Sequence, residues 1–258
     1  MSQSSGIVIP AYQPDPSILS EYVTELRDQI DPATIRIELD DAADSLQAEL
    51  DDLPATVNAV PDRRGKGAAI TAGFDALATD ILVFADADGS TPAGELARVV
   101  EAVTDPGVSL AVGSRRHPDA AVATSQSISR QYLGDVFAWF ARQLLDVSLY
   151  DYQCGAKAIT AESWQQISPH LTCTGFEWDI DLIAVAGALG YTVREVPIEW
   201  HDHPDSTVPP IRTSIALGRT LLAARAKVRD LEHQPRQTAA DGPGESPAPV
   251  DQERPHDD

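Results

Sequence analysis

Lysine is nearly missing from this 258-residue chain: only Lys66, Lys157 and Lys227 occur, so arginine supplies the other 16 of the 19 basic side chains. Positive charge as a whole is scarce. Forty acidic residues give a formal net charge of −21 and a sequence pI near 4.4. A nucleic-acid-binding surface needs a basic footprint, and the overall field here has the opposite sign, which excludes that class. Many carboxylates with few lysines suit a surface kept hydrated in strong salt, where screening weakens self-repulsion, and this points to a halophilic source. Cysteine is also rare. Cys154 and Cys173 cannot build a disulfide framework and lack zinc-site spacing, so they are expected to be free thiols in a reducing cytosol. No apolar run approaches the ~18 residues of a membrane span. The opening MSQSSGIVIP has neither the basic region nor the apolar length of a secretory signal. The expectation is a soluble cytoplasmic protein.

The residues that are present alternate in a regular way. Short apolar runs at Gly6–Tyr12, Thr34–Asp40, Ala55–Val60, Asp80–Ala85 and Val108–Gly113 read as strands. Between them, helices fit Pro16–Ile30, Ala43–Asp52, Gly67–Ala78 and Pro92–Thr104, the last capped by Ser90 or Thr91. Such alternation implies an α/β fold with a mostly parallel sheet covered on both faces. Further on, the pattern predicts a helix over Ser127–Leu145, a strand at Ala156–Thr160 and a helix over Trp178–Leu189. It then gives a strand at Thr192–Trp200, placed on an edge by Pro197, and a helix over about Ile211–Leu231. Residues 1–232 read as one domain. From His233 onward Pro, Gly, Gln, Asp and Glu dominate, the composition of a disordered acidic tail.

Three loops carry chemistry. Asp86-Ala87-Asp88 follows the apolar run ILVFA, at the carboxyl end of a buried strand, where open α/β sheets place ligands. Carboxylates separated by one residue can converge on Mg²⁺ or Mn²⁺ and leave positions open for diphosphate oxygens; the alternative is a pair of solvated loop acids. Arg63-Arg64-Gly65-Lys66-Gly67-Ala68 concentrates cations just before a helix, with two glycines that would let backbone approach an anion. It is not a P-loop, because no Ser or Thr follows Gly-Lys. Gly113-Ser114-Arg115-Arg116 leaves a strand on the same sheet edge, and paired arginines suit phosphate, or a surface salt bridge. Glu177, Asp179 and Asp181 open a helix, where the dipole favours carboxylates.

Taken in order, Ile9-Pro10-Ala11-Tyr12, Arg64-Gly65-Lys66-Gly67-Ala68-Ala69, Phe84-Ala85-Asp86-Ala87-Asp88-Gly89-Ser90-Thr91 and Gly113-Ser114-Arg115 resemble family 2 glycosyltransferases of the GT-A fold. Asp151-Tyr152-Gln153-Cys154-Gly155-Ala156-Lys157, Phe176-Glu177-Trp178-Asp179-Ile180-Asp181-Leu182 and Glu195-Val196-Pro197-Ile198-Glu199-Trp200 narrow the resemblance to the branch that glycosylates dolichyl or other polyprenyl phosphates. Gln-Cys-Gly-x-Lys is most similar to dolichyl-phosphate glucosyltransferases. The resemblance spans roughly residues 6–215 and implies a single GT-A domain that transfers a hexose from a nucleoside-diphosphate sugar, UDP-glucose by preference, to a polyprenyl phosphate. It implies that Pro10, Ala11, Tyr12, Asp40 or Asp41, Arg64, Lys66, Asp86 and Ala87 bind the nucleotide. Asp86 and Asp88 would hold Mg²⁺ or Mn²⁺, Arg115 and Arg130 would meet the acceptor phosphate, and Asp88, Arg115 and Asp179 would form the catalytic set. A GDP-mannose donor, a sugar-hydroxyl acceptor and a non-catalytic nucleotide-sugar-binding module are the alternatives. The sequence departs from the family at Gln13-Pro14-Asp15, where Asn-Glu-Glu is usual, and at Asp40-Asp41-Ala42-Ala43, where Asp-Asp-Gly-Ser is usual.

A lipid acceptor implies peripheral contact with the cytoplasmic face of a membrane, or a membrane-protein partner. Ile211–Arg229 holds Arg212, Arg219, Arg225, Lys227 and Arg229 and no acid, and with Ile215, Leu221, Leu222 and Val228 it could dock on anionic lipid. Alternatively it packs on the acidic domain as an internal counter-charge.

Overall fold

The computed structural model describes residues 3–120, 138–201, 221 and 223–229. Seven strands form one sheet: β1 Ser5–Tyr12, β2 Thr34–Asp40, β3 Thr56–Val60, β4 Ile81–Ala85, β5 Leu110–Ser114, β6 Ala156–Thr160 and β7 Val193–Pro197, in the order β3-β2-β1-β4-β6-β5-β7. All pairings are parallel except those of β6, which runs antiparallel between β4 and β5. The helices are α1 Pro16–Ile30, α2 Asp44–Leu50, α3 Lys66–Asp75, α4 Ala93–Thr104, α5 Ala161–Ile167 and α6 Trp178–Ala188, with helical turns also at 138–144 and 223–229. This is a single α/β domain with the mostly parallel sheet expected from the strand–helix alternation, and β7 lies on an edge.

Alternation along the strands divides the core in two. On β4, Ile81, Val83 and Ala85 pack with Leu19, Val23 and Leu26 of α1 and Leu96 and Val99 of α4 on one face. Leu82 and Phe84 pack with Ile70 and Phe74 of α3 and the body of α6 on the other. Every residue from Trp178 to Ala186 is buried, so α6 is a core helix rather than an amphipathic cover. Phe74, Phe84, Trp164 and Trp178 meet edge-on or tilted on this face, with ring centroids 5.0–6.3 Å apart.

Several local expectations change. Ser90 and Thr91 do not cap α4; they are buried, and the N-cap is Pro92, with no side-chain cap bond. Asp15, one of the departures from the family pattern, caps α1 by accepting from the backbone of Ser17 at 2.9 Å and Ile18 at 3.3 Å. Helix α5 is additional, and Thr160 serves both as the last residue of β6 and as its cap. The described part of the expected Ser127–Leu145 helix is 138–144; Arg130 and the tail from His233 lie outside the described residues.

The basic segment near the C-terminus contributes to the interior where it is described. Leu221, Ala224 and Val228 are buried in the α6 cluster, so Leu221 and Val228 are not a lipid-facing surface. Lys227 Nζ lies 2.5 Å from Asp181 Oδ1, and Arg225 Nη1 lies 3.8 Å from Asp146. No helix among the described residues is long and apolar enough to cross a membrane.

Candidate active site

The carboxyl ends of the parallel strands β1, β2, β3, β4 and β5 line one edge of the sheet, and antiparallel β6 brings its amino end there. From β1 the chain proceeds outward to β2 and β3, then returns to β4 on the other side of β1. The crevice at this reversal, between Tyr12 and Asp86, is where such sheets bind ligands.

On the β1–β3 side, Pro10 is partly buried, Ala11 is buried and Tyr12 is exposed, with the Arg63 guanidinium 3.9 Å above its ring. Asp40 is buried. Its Oδ1 accepts from Arg64 Nε at 2.8 Å, and its Oδ2 from the Gly65 backbone at 2.9 Å. Arg64 also lies 2.9 Å from Glu38, so its guanidinium is committed to the end of β2. Asp41 is exposed and takes a left-handed backbone, φ 51°.

The glycines of the basic loop permit close packing within the protein. Gly65 has φ +98°, and a Cβ there would lie 2.7 Å from Thr174 O; a Cβ at Gly67 would lie 2.5 Å from Trp178 Cβ. They let the start of α3 close on the segment leading into α6. Lys66, the first residue of α3, is thereby delivered to Asp86, with Nζ 2.8 Å from Oδ1.

Asp86 leaves β4 partly exposed, and its backbone donates to Gly155 O at 3.1 Å. A Cβ at Gly155 would lie 1.9 Å from Asp86 Oδ2, so only glycine permits this seat. Ala87 is partly buried, and Asp88 is open at the rim, accepting from the Ser90 backbone at 3.0 Å. Burial would raise the Asp86 carboxyl, but Lys66, with Lys157 and Arg115 behind it, holds the pKa below the ordinary value. Asp88 moves the other way: its surroundings withdraw water although its surface is open, and the Asp86 charge adds to the rise. Two carboxylates at a strand end fit a hard divalent cation that completes its shell with diphosphate oxygens. Among the described residues no group of three or more His, Cys, Asp and Glu forms a closed metal site.

Asp179 and Asp181 are more than dipole partners for a helix start. Both are buried and ion-paired. Asp179 Oδ1 lies 2.5 Å from Lys157 Nζ, and its Oδ2 lies 3.5 Å from Lys66 Nζ. Asp181 accepts from the backbones of Thr172 and Cys173 and pairs with Lys227. All three lysines of the chain thus converge on two carboxylates of α6. Lys157 closes the Gln-Cys-Gly-x-Lys motif, but nothing in that motif names Asp179 as its partner; Lys227 belongs to no motif, and the scarcity of lysine was the signal that could have found it.

Arg115 follows β5 and is gripped by Asp151, Nε to Oδ2 at 2.7 Å and Nη2 to Oδ1 at 3.1 Å. Burial would raise the Asp151 carboxyl, but Arg115 holds it at about 2. With Arg116, Tyr150 and Gln153, the pair lines a small cavity. Burial drives both thiols up, Cys154 to about 12 and Cys173 to about 11, and both cysteines are free.

This arrangement, with a carboxylate pair at the switch point of a mostly parallel sheet and a lysine beside it, is that of a GT-A glycosyltransferase domain. The family model for glycosyl transferase family 2 matches residues 6–159, and the chain belongs to that family. It is 31% identical over 164 residues to glycosyltransferase AglD of Haloferax volcanii, covering 62% of this chain and 26% of that one. It is 28% identical over 178 residues to dolichyl-phosphate beta-glucosyltransferase of Saccharomyces cerevisiae, covering 63% and 52%. It is also 36% identical over 142 residues to polyprenol monophosphomannose synthase of Mycolicibacterium smegmatis, covering 54% and 53%. The chain spans about a quarter to a half of the length of these relatives. The GT-A architecture is shared with the crystal structure of glucosyl-3-phosphoglycerate synthase from Mycobacterium tuberculosis in complex with Mn²⁺, UDP-glucose and phosphoglyceric acid. That likeness has a TM-score of 0.67 at 18% identity, over 87% of this chain and 80% of that one.

Proposed function

We propose that the protein transfers a hexose from a nucleoside-diphosphate sugar to a polyprenyl phosphate. The observation that carries this reading is the Asp86-Ala87-Asp88 pair at the end of β4 beside Lys66, in a chain whose relatives are named for dolichyl- and polyprenyl-phosphate products. Asp86 and Asp88 hold Mg²⁺ or Mn²⁺, which neutralises charge on the departing diphosphate. Tyr12, with Pro10 and Ala11, borders the nucleotide, and Asp40 or Asp41 meets the base. Lys66 faces the diphosphate. Arg64 supports this pocket by fixing Asp40. Arg115 and Arg116 orient the acceptor phosphate, with Arg130 added to that set.

An acceptor phosphate monoester has a second pKa of about 6 and is already an anionic nucleophile near neutral pH. In-line attack by its oxygen on the anomeric carbon expels the nucleoside diphosphate with inversion and needs no strong base. The position of Asp179 supports a phosphate acceptor over a hydroxyl: both its oxygens already serve ammonium groups, so its part is orientation.

UDP-glucose is the preferred donor, on the likeness to the dolichyl-phosphate beta-glucosyltransferases; the similarity to a phosphomannose synthase supports GDP-mannose as the second reading. The domain works against a lipid acceptor at a cytoplasmic membrane face. Lys227 on Asp181 supports the counter-charge role for the basic segment. The test is turnover with a panel of UDP- and GDP-sugars, polyprenyl phosphate and Mn²⁺. EDTA is expected to abolish it, and Asp88→Asn to lower kcat by about a hundredfold or more with the fold retained. Full activity of that variant in chelator refutes the metal assignment, and nucleotide binding without turnover on any donor favours a binding module.

A further inference from the structure

Charged side chains form a string from the interior of the domain to the rim of the site: Lys157, Asp179, Lys66, Asp86. Lys157 lies on β6, opposite Phe84 in the antiparallel pairing, and its Nζ is 2.5 Å from Asp179 Oδ1 and 2.7 Å from Cys154 O. Asp179 on α6 reaches Lys66 on α3 at 3.5 Å, and Lys66 reaches Asp86 at 2.8 Å. The two ammonium groups both stand over Phe84, 5.0 and 5.4 Å from its ring centroid. Side-chain exposure rises along the string, from 1% at Lys157 and 3% at Asp179 to 13% at Lys66 and 38% at Asp86. Lys157 is therefore the buried anchor, out of reach of any ligand in the crevice, and Asp86 is the working end.

The string contains one conflict. Lys66 lies between two carboxylates, and the buried one has the stronger need of a cation, because an uncompensated charge costs most where water is absent. We propose that Lys157 is a positioning residue which satisfies Asp179 and so leaves the Lys66 ammonium available to Asp86 and to the diphosphate of a donor. Without Lys157, Asp179 captures Lys66 and draws it inward from the crevice. The compact, singly pointed ammonium suits this place. A guanidinium would have to fit its planar fork between Cys154 O and Asp179 within the core, which accounts for lysine here in a chain where 16 of 19 basic residues are arginine.

The inference rests on the nucleotide-sugar reading, and its test is a binding measurement. Calorimetric titration with UDP, and GDP in parallel, in the presence of Mn²⁺ compares the wild type, Lys157→Met and Lys157→Met/Asp179→Asn. Lys157→Met is expected to weaken nucleotide affinity by about tenfold to a hundredfold, the loss of a charge-assisted contact. The double variant is expected to return to within about threefold of wild type, because a neutral amide in place of the Asp179 carboxylate no longer captures Lys66. A merely structural role weakens nucleotide binding only in step with a fall in the urea midpoint, whereas the positioning role weakens binding in Lys157→Met protein that remains folded. Equal affinity of wild type and Lys157→Met, or a weak double variant, overturns the positioning role while the donor reading stands. A wild type that binds neither nucleotide overturns both. If Lys157→Met fails to fold, the double variant, which buries no unpaired charge, decides alone: it must bind within about threefold of wild type.

Discussion

At the scale of single residues, the most constrained pair is Asp151 with Arg115. Both oxygens of a buried carboxylate meet one guanidinium, and the Asp151 backbone is itself tied to Glu195 at 2.9 Å. Asp151→Asn leaves the arginine charge unmatched and is expected to cost about 3 kcal/mol, read from the urea midpoint. The pH dependence has a definite sign. The folded carboxyl titrates at about 2, below the ordinary aspartate value of 3.8, so the pair's contribution is complete above pH ~4 and is lost as pH falls through about 2. The stability gap between wild type and variant should hold from neutral pH to about 4.5 and shrink toward pH ~2. An undiminished gap at the acid end contradicts the assignment.

The Asp86-Ala87-Asp88 motif could be singled out in the sequence because its reading as a metal site depends on position after an apolar run, which a linear reading preserves. The ion pairs of Asp179 and Asp181 were not legible because their partners come from positions 66, 157 and 227, and no local pattern predicts that convergence. The packing of the glycines at 65 and 67 was hidden for a related reason. A loop that lets backbone approach a phosphate and a loop that lets it approach a tryptophan have the same composition.

Among the elements, β1 to β6 were read within two residues at their ends, most directly β4, whose ILVFA is an unbroken apolar run; β7 stops at Pro197, three residues before the expected Trp200. Helix α5 was missed because Thr160 ends a strand and caps a helix with no intervening turn residue. The segment at 223–229 shows how an element's partner can invert its meaning: a basic amphipathic run suits an anionic bilayer and an acidic domain equally well. Lys227 holds Asp181, which in turn accepts from the backbones of Thr172 and Cys173 just before α6. Lys227→Gln is expected to destabilise the protein by about 2 kcal/mol in urea and to leave pelleting with anionic vesicles unchanged. Loss of vesicle binding at unaltered stability would restore the membrane role of this segment.

For the molecule as a whole, a net charge of −21 on the chain makes self-repulsion a standing cost that depends on ionic strength. The Debye length falls from about 10 Å at 0.1 M to about 3 Å at 1 M salt, less than the spacing of most surface charges. Raising KCl from about 0.1 to about 2 M is expected to raise the thermal midpoint by about 5–10 °C, corresponding to a few kcal/mol. The site should respond less, because its pairs are buried and poorly screened. A midpoint that falls with salt would show that the exposed ion pairs outweigh the repulsion.

The placement of β6 has a consequence for how the chain reaches this state. Strand β4 is complete by Ala85 and β5 by Ser114, yet they never pair; both wait for residues 156–160 to enter between them. The β3-β2-β1-β4 half can assemble from neighbouring segments while the chain is still being made, with one flank of β4 an open hydrogen-bonding edge. Asp86 hangs from that flank and has no seat until Gly155 arrives beneath it. The seat of Asp86 is therefore acquired with β6, and a nascent or partly unfolded chain carries the Asp86-Ala87-Asp88 motif without the geometry around it.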